Sequence, residues 1–313
     1  MEGIRLLGSG HALPGRKVTN EDLTQYVETS DEWIRSRTGI QSRYFSENEE
    51  NADLAYEAAR QALEDAGVEA KEIDLVIVAT ITPDYATPSM ACILQKRLEL
   101  RENIPAFDIN AACSGFIYGL HVAYHMMHDS ERRLALVVGC EQLSRILDLQ
   151  DRSTCVLFGD GAGAALVEKT EQSRGFFGKL GAQGNIEALH VEGLGKADPY
   201  IRMDGKAVFR FAVKSIEENI KEVLEQTGLQ MEEVDYFICH QANERILSHV
   251  RKKLKIPAEK LPQNIESYGN TSGASIPILL DNMKKDGRLV PGKKLFCIGF
   301  GGGLTYGSIY LEL

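Results

Sequence analysis

Two stretches of this chain lie over each other without a gap. Residues 62–78, ALEDAGVEAKEIDLVIV, match residues 223–239, VLEQTGLQMEEVDYFIC, at an offset of 161, with Leu-Glu, Gly, Glu and Asp in step. Each reads as the end of a helix, a glycine cap and a buried strand. The same offset carries 132–137, RRLALV, onto 293–298, KKLFCI, again a basic step into an apolar strand. A repeated α/β unit limits the fold more tightly than any single motif. Strands alternating with helical patterns imply βαβ crossovers and buried sheets. The expectation is two pseudo-symmetric halves, 1–170 and 171–313, divided in the polar stretch Glu168–Arg174 and packed through shared helices into one body.

A chain of 313 residues is long enough to bury two joined cores. Thirty-five Lys and Arg against 45 Asp and Glu leave a net charge of −10, which disfavours nucleic acid and anionic membrane as partners. An anionic partner must therefore be met by a local basic patch. The six cysteines, at 92, 113, 140, 155, 239 and 297, form no C-x-x-C pair, and the N-terminus lacks a signal-peptide pattern. These features predict a reduced, cytoplasmic protein. The longest apolar runs, such as Leu134–Val138, are strand-sized and far short of the roughly 18 residues a membrane span needs.

Three positions carry candidate chemistry. Phe107–Phe116, FDINAACSGF, runs from an apolar strand through small residues into a helical pattern, which puts Cys113 at a strand-to-helix turn. Free amides and the macrodipole at a helix start favour the nucleophilic thiolate. His240 ends the strand Tyr236–Cys239, and side chains beyond a strand's C-terminal end are where α/β sites form. Asn270 lies in a glycine-bracketed turn, YGNTSGAS, before another helical run. Overlaying Ala112-Cys113-Ser114-Gly115 on Asn270-Thr271-Ser272-Gly273 brings both helix starts to one cleft. His121, His125 and His128 have helical spacing, but burial is the better reading, and no metal site is expected. No phosphate loop is present: Gly159–Gly163 lacks the required lysine.

The motifs AACSGF at 111–116, HQAN at 240–243, GNTSG at 269–273 and GFGGG at 299–303 resemble those of the thiolase superfamily. More closely, the chain resembles the 3-oxoacyl-[acyl-carrier-protein] synthase III family from end to end. The resemblance implies a thiolase-like α/β fold in five layers, αβαβα. It also implies a decarboxylating condensation of an acyl-CoA primer with malonyl-acyl carrier protein (malonyl-ACP), initiating fatty acid synthesis. Cys113 would take the acyl group from CoA in a ping-pong reaction. His240 and Asn270 would donate hydrogen bonds to the enolate formed when the malonyl group loses CO2. The backbone N–H groups of Cys113 and Gly302 would form the oxyanion hole. No cofactor is implied.

By the same resemblance, Trp33 and Arg152 would hold the CoA adenine, Arg37 and Thr38 would meet its phosphates, and Asn243 would contact the pantetheine arm. Lys206 stands where the family often has Asn, which puts one CoA contact in doubt. Arg245–Lys255 has five basic residues and no acid, with Ile246, Leu247, Val250 and Leu254 on one arc. Arg245 and Lys252, with Arg210 and Lys214, are expected to dock the acidic carrier protein. Thr87 occupies a position that commonly carries an aromatic wall of the acyl pocket, contributed across a homodimer interface. The smaller side chain predicts tolerance for longer or branched primers.

Other readings compete. A condensing enzyme of secondary metabolism would share these motifs. A degradative thiolase would use Cys297 as a second cysteine, although Cys297 falls inside an apolar strand pattern. The order Cys, His, Asn also occurs in papain-like proteases, but their local signature is missing. A non-catalytic acyl-binding relative would not need all three reactive side chains.

Overall fold

A computed structural model of the protein describes residues 1–128, 130–193 and 195–313. Among these residues the first main sheet has five strands in the order Gly3–Ala12, Gly161–Thr170, Leu134–Glu141, Leu75–Ala79 and Ala106–Ile109. The second has four, in the order Gly178–Ala182, Thr305–Glu312, Lys294–Gly301 and Tyr236–Cys239. In both sheets the first two neighbouring pairs are antiparallel and the third is parallel. The repeat read from the sequence is therefore a repeat of topology.

Alternation along the strands explains the layering. Leu75 and Ile77 face one side of the first sheet, whereas Val76 and Val78 face the other. The first side packs on helices Gly115–His128 and Ser275–Lys285, which also cover Leu295 and Cys297 of the second sheet. Phe116, Ile117, Leu120, Leu279, Leu280 and Met283 fill this shared middle layer. Helices Asn51–Ala66 and Met90–Arg97 cover the outer face of the first sheet, and Gly205–Thr227 and Glu244–Leu254 that of the second. The order is helix, sheet, helix, sheet, helix. Strands buried on both faces read as unbroken apolar runs, as LVIVA at 75–79 does.

The two halves meet closely at the helix starts. An added Cβ on Gly139 would lie 2.2 Å from the Gly273 carbonyl oxygen, so only glycine lets the strand reach this turn. The repeat is less regular than the sequence overlay implied. Leu75 pairs with Ala135 and Tyr236 with Leu295, spacings of 60 and 59 residues. The offset is thus one residue shorter for the second segment pair. The polar span 184–205 carries a two-stranded ribbon, Leu189–His190 with Arg202–Met203, and lies across the site described below.

Candidate active site

Cys113 sits in a tight 3-10 turn, Ala112–Ser114, between the strand Ala106–Ile109 and the middle helix. Ala112 adopts a left-handed φ of 46°, a strained geometry for a residue with a Cβ. The strand Lys294–Gly301 presses against this turn, and a Cβ on Gly301 would fall 2.6 Å from the Cys113 backbone nitrogen. The thiol is buried, with Cys113 only 7% exposed. Burial pushes its pKa up to about 12, and the charge of Glu141 adds to the rise. The Ser272 hydroxyl and the backbone N–H groups of Cys113 and Gly302 pull the other way but do not prevail. Desolvation thus opposes the thiolate that the helix start was expected to favour.

His240 follows its strand as expected and is 1% exposed. Burial holds its pKa down to about 3, so the ring is neutral. Nδ1 lies 2.6 Å from Ser275 Oγ, which also accepts from the Gln241 N–H at 3.4 Å. The contact engages Nδ1 and leaves Nε2 as the unengaged ring nitrogen. The edge of Phe300, 5.1 Å away between centroids, confines the ring.

Asn270 is oriented from the same turn. The Ser272 backbone N–H can only donate, and it meets Asn270 Oδ1 at 2.9 Å. Nδ2 is left free to donate. Bonds from Asn270 N–H to the Leu157 carbonyl and from Gly159 N–H to the Asn270 carbonyl fix the backbone.

Two cavities meet at Cys113. A narrow one of about 110 Å³ is lined by Cys113, His240, Asn270 and Asn243, together with Phe209 and Phe300. A larger one of about 1070 Å³ runs from Cys113 and Gly302 to Thr87, past Ile109, Leu189 and Ile201. Thr87 and Tyr85 lie on its exposed flank. Cys113 thus lines two cavities, and the narrow one brings His240 and Asn270 to it.

The remaining expected positions fall on the outer rim. The Arg152 guanidinium lies 4.5 Å from the Trp33 ring centroid and donates to the Glu28 carbonyl. The two are already in contact, so a purine between them requires Arg152 to swing away. Arg37 is exposed, but Thr38 is buried. Its hydroxyl donates to the Ile34 carbonyl and accepts from the Ile40 N–H, leaving nothing for a phosphate. Asn243 caps helix Glu244–Leu254 through Arg245 N–H and donates to the Arg37 carbonyl, tying the rim together. Lys206 is exposed at the start of helix Gly205–Thr227, beside the narrow cavity.

Ile246, Leu247 and Val250 are buried, while Arg245 and Lys252 are exposed, as an amphipathic helix requires. Helix Gly205–Thr227 packs alongside, with Phe209 and His249 edge to face at 5.8 Å, and adds exposed Arg210 and Lys214. Lys214 reaches Glu218 at 3.7 Å; among the described residues Arg210, Arg245 and Lys252 have no ion-pair partner. His121 is buried and bonds the Ser308 carbonyl at 2.8 Å, and the described residues hold no cluster of metal-ligating side chains. Cys297 is fully buried in mid-strand, away from both cavities.

Sequence reading missed Ser275, Ser272, Gly301 and Glu141. It also misplaced the overlay of the two helix starts. The turns Ala112–Ser114 and Ser272–Ala274 correspond, each opening on a left-handed residue, at φ 46° and 49°. Cys113 is therefore equivalent to Gly273, and Asn270 to Asn110. Matching Asn to Asn was the signal that could have found this register.

Comparison with known proteins agrees with the geometry. Residues 107–184 match the family described as 3-oxoacyl-[acyl-carrier-protein (ACP)] synthase III, and 224–313 match its C-terminal region. The chain is 46% identical to beta-ketoacyl-[acyl-carrier-protein] synthase III of Clostridium acetobutylicum, covering 100% of this chain and 99% of that protein. The crystal structure of 3-oxoacyl-[acyl-carrier-protein] synthase III from Aquifex aeolicus superposes with a TM-score of 0.94 at 44% identity, covering 99% of this chain and 100% of that one. The priming beta-ketosynthase from the R1128 polyketide biosynthetic pathway does so at 0.93 and 37%, covering 99% and 96%.

Proposed function

This chain belongs to the 3-oxoacyl-[acyl-carrier-protein] synthase III family of thiolase-like condensing acyltransferases, and on that premise we propose how its residues divide the reaction. The reaction joins an acyl-CoA primer to malonyl-ACP with loss of CO2 and gives 3-oxoacyl-ACP, the first condensation of fatty acid synthesis.

In the first half-reaction the Cys113 sulfur attacks the primer thioester. The tetrahedral oxyanion is held by the backbone N–H groups of Cys113 and Gly302, CoA leaves, and the acyl chain lies in the larger cavity. In the second, malonyl-ACP enters the narrow cavity. His240 Nε2–H and Asn270 Nδ2 donate to its thioester oxygen, and loss of CO2 leaves an enolate that attacks the acyl-enzyme. One observation carries this division: Cys113 lines both a large cavity and a narrow one, and the narrow one holds two side chains, His240 and Asn270, that are both bonded from the turn at 270–275. A degradative thiolase reading would need Cys297 at the site, and its burial away from both cavities speaks against that.

CoA binding is assigned to Trp33, Arg152 and Arg37, with Asn243 holding the rim and Thr38 the helix beneath it. ACP docking is assigned to Arg245, Lys252, Arg210 and Lys214. The open flank at Tyr85 and Thr87 fits closure by a second copy in a homodimer, with Thr87 admitting longer or branched primers. No helix of the described residues is long and apolar enough to cross a membrane, and a cytoplasmic location fits the unpaired thiols. Supplying acyl-CoA alone and following covalent mass at Cys113 tests the first half; a Cys113→Ser variant that still formed the adduct would overturn the assignment.

A further inference from the structure

The resting thiol poses a problem that His240 does not solve. In the proposed condensation Nε2 carries the proton that it donates to the enolate, so it does not accept another. Yet the sulfur must lose a proton to attack. The turn Ser272–Ala274 packs on both the Cys113 turn and the strand that ends in Glu141, a buried carboxylate that the condensation scheme leaves unused. Glu141 ends the strand Leu134–Glu141 and is 0% exposed. It accepts from Thr82 Oγ1 at 2.7 Å, Thr80 Oγ1 at 3.3 Å and the Ile81 N–H at 3.1 Å.

Ser272 stands between Glu141 and Cys113. Ser272 lines the larger cavity together with Cys113, a Cβ on the adjoining Gly273 would lie 3.8 Å from Glu141 Oε1, and the buried Ser272 Oγ has no hydrogen-bond partner at rest, while its hydroxyl acts to lower the pKa of both groups. The residue is 1% exposed and held at φ 49°, a strained backbone that fixes where this hydroxyl sits. An orphaned rotor next to a thiol and a carboxylate has the donor and the acceptor that a proton transfer needs.

We propose that Ser272 and Glu141 form the proton route for Cys113 during acylation, with Glu141 as the acceptor and Ser272 as the relay. The Cys113 S–H proton passes to Ser272 Oγ as the Ser272 proton passes to Glu141. The thiolate forms a bond to the thioester carbonyl carbon, and collapse of the intermediate breaks the bond to the CoA sulfur. The departing thiolate is neutralised by the proton held on Glu141, so acyl-CoA and thiol become acyl-enzyme and CoA thiol with no net proton change.

Burial pushes the Glu141 pKa up to about 7, against the hydrogen bonds it accepts, so the group can take up and release a proton near neutrality. Thr80, Ile81, Thr82 and Ser272 are neutral donors, and burial raises the Cys140 thiol beside it well above the ordinary value. Of the acids further out, Asp108 caps Met90 and Ala91, and Asp84 pairs with Arg145 at 3.0 Å.

The inference rests on Cys113 being the acylated residue, and the test separates the two ideas. Cys113 acylation by acyl-CoA is timed by rapid-quench mass spectrometry across pH 5.5–9 in wild type, Glu141→Gln and Ser272→Ala. Each enzyme, once fully acylated, is then mixed with malonyl-ACP. Acylation is expected to slow at least about tenfold in both variants. The wild-type rate should rise through about pH 7 to a plateau, and the plateau should vanish in Glu141→Gln. Transfer to malonyl-ACP should stay within about twofold of wild type, because it does not use this route. Wild-type rates and pH profile in both variants would overturn the relay, as would equal slowing of both half-reactions. Should Glu141→Gln not fold, Ser272→Ala decides alone. Absence of a wild-type adduct would instead sink the assignment of Cys113.

Discussion

Ser275 Oγ lies 2.6 Å from Nδ1 of His240, and this contact decides which nitrogen of the ring faces the substrate. A neutral imidazole has one donor and one acceptor. With the Ser275 hydroxyl donating to Nδ1, Nε2–H is the donor offered to the cavity that also holds Cys113 and Asn270, the arrangement the proposed condensation requires. Asn270 is set by the same logic through Ser272 N–H. In the proposed scheme both side chains act as donors held in place before substrate arrives, the preorganisation that makes such groups effective against developing negative charge.

Removing either donor should separate the half-reactions. His240→Ala and Asn270→Ala are expected to form the acyl-enzyme at near wild-type rates but to lose roughly 10²–10³-fold in decarboxylation. Adduct formation by mass spectrometry and CO2 release from malonyl-ACP report the two steps.

Protonation of His240 cannot gate catalysis in the ordinary range, because its pKa lies at about 3. The same shift makes the fold acid-sensitive. Below pH 6.5 the unfolded chain takes up protons that buried His240 and His121, the latter held down to about 4, refuse. Stability should therefore fall as pH drops from 6.5, by about 2 kcal/mol per histidine at pH 5. Urea unfolding of wild type and His121→Phe at pH 7.5 and 5 measures this; an equally steep loss in the variant would contradict it.

Gly301→Ala should be among the most damaging single-methyl changes. The new Cβ would meet Cys113 N at 2.6 Å and the cysteine Cβ at 3.0 Å, and neither the strand nor the turn can retreat. The expected cost is about 1–3 kcal/mol, with acylation impaired beyond what that loss explains. Denaturant midpoints and adduct kinetics of the purified variant report both effects.

The repeat and the strand-end and turn positions of Cys113, His240 and Asn270 were legible because each is local: periodicity, a glycine-bracketed turn, a residue at the end of a strand; the five layers followed only from the resemblance of the motifs. It did not reveal what orients them. His240 and Ser275 are 35 residues apart, and nothing in either neighbourhood marks the pairing. Glu141 reads as the polar end of an apolar strand; only the fold buries it beside the thiol. The desolvation that opposes the Cys113 thiolate is hidden for the same reason, since helix position is visible in sequence and depth of burial is not. Thr38 looked available to phosphate because its hydroxyl bonds to Ile34 and Ile40 close only once the helix turns.

Trp33, the only tryptophan, should report CoA binding. Arg152 covers its ring now, so entry of the adenine exchanges one stacking partner for another. Fluorescence is expected to shift saturably with CoA, and Arg152→Ala should weaken binding about tenfold. An unresponsive Trp33 would place the adenine elsewhere.

Enlarging Thr87 should narrow primer choice. The residue lines the larger cavity beyond Cys113, and Thr87→Phe adds roughly the bulk of a ring. Competition between acetyl-CoA and medium-chain or branched acyl-CoAs should swing towards the short primer by about tenfold; unchanged selectivity would mean that another residue bounds the chain.

The central claim is that one sulfur serves both half-reactions. Protein loaded with acyl-CoA, freed of CoA and then mixed with malonyl-ACP can be followed by intact-mass and peptide mass spectrometry. The acyl mass should appear on Cys113 alone, then vanish at the rate at which CO2 and 3-oxoacyl-ACP appear. An adduct at another residue, or one on Cys113 that persists while product forms, would contradict the account.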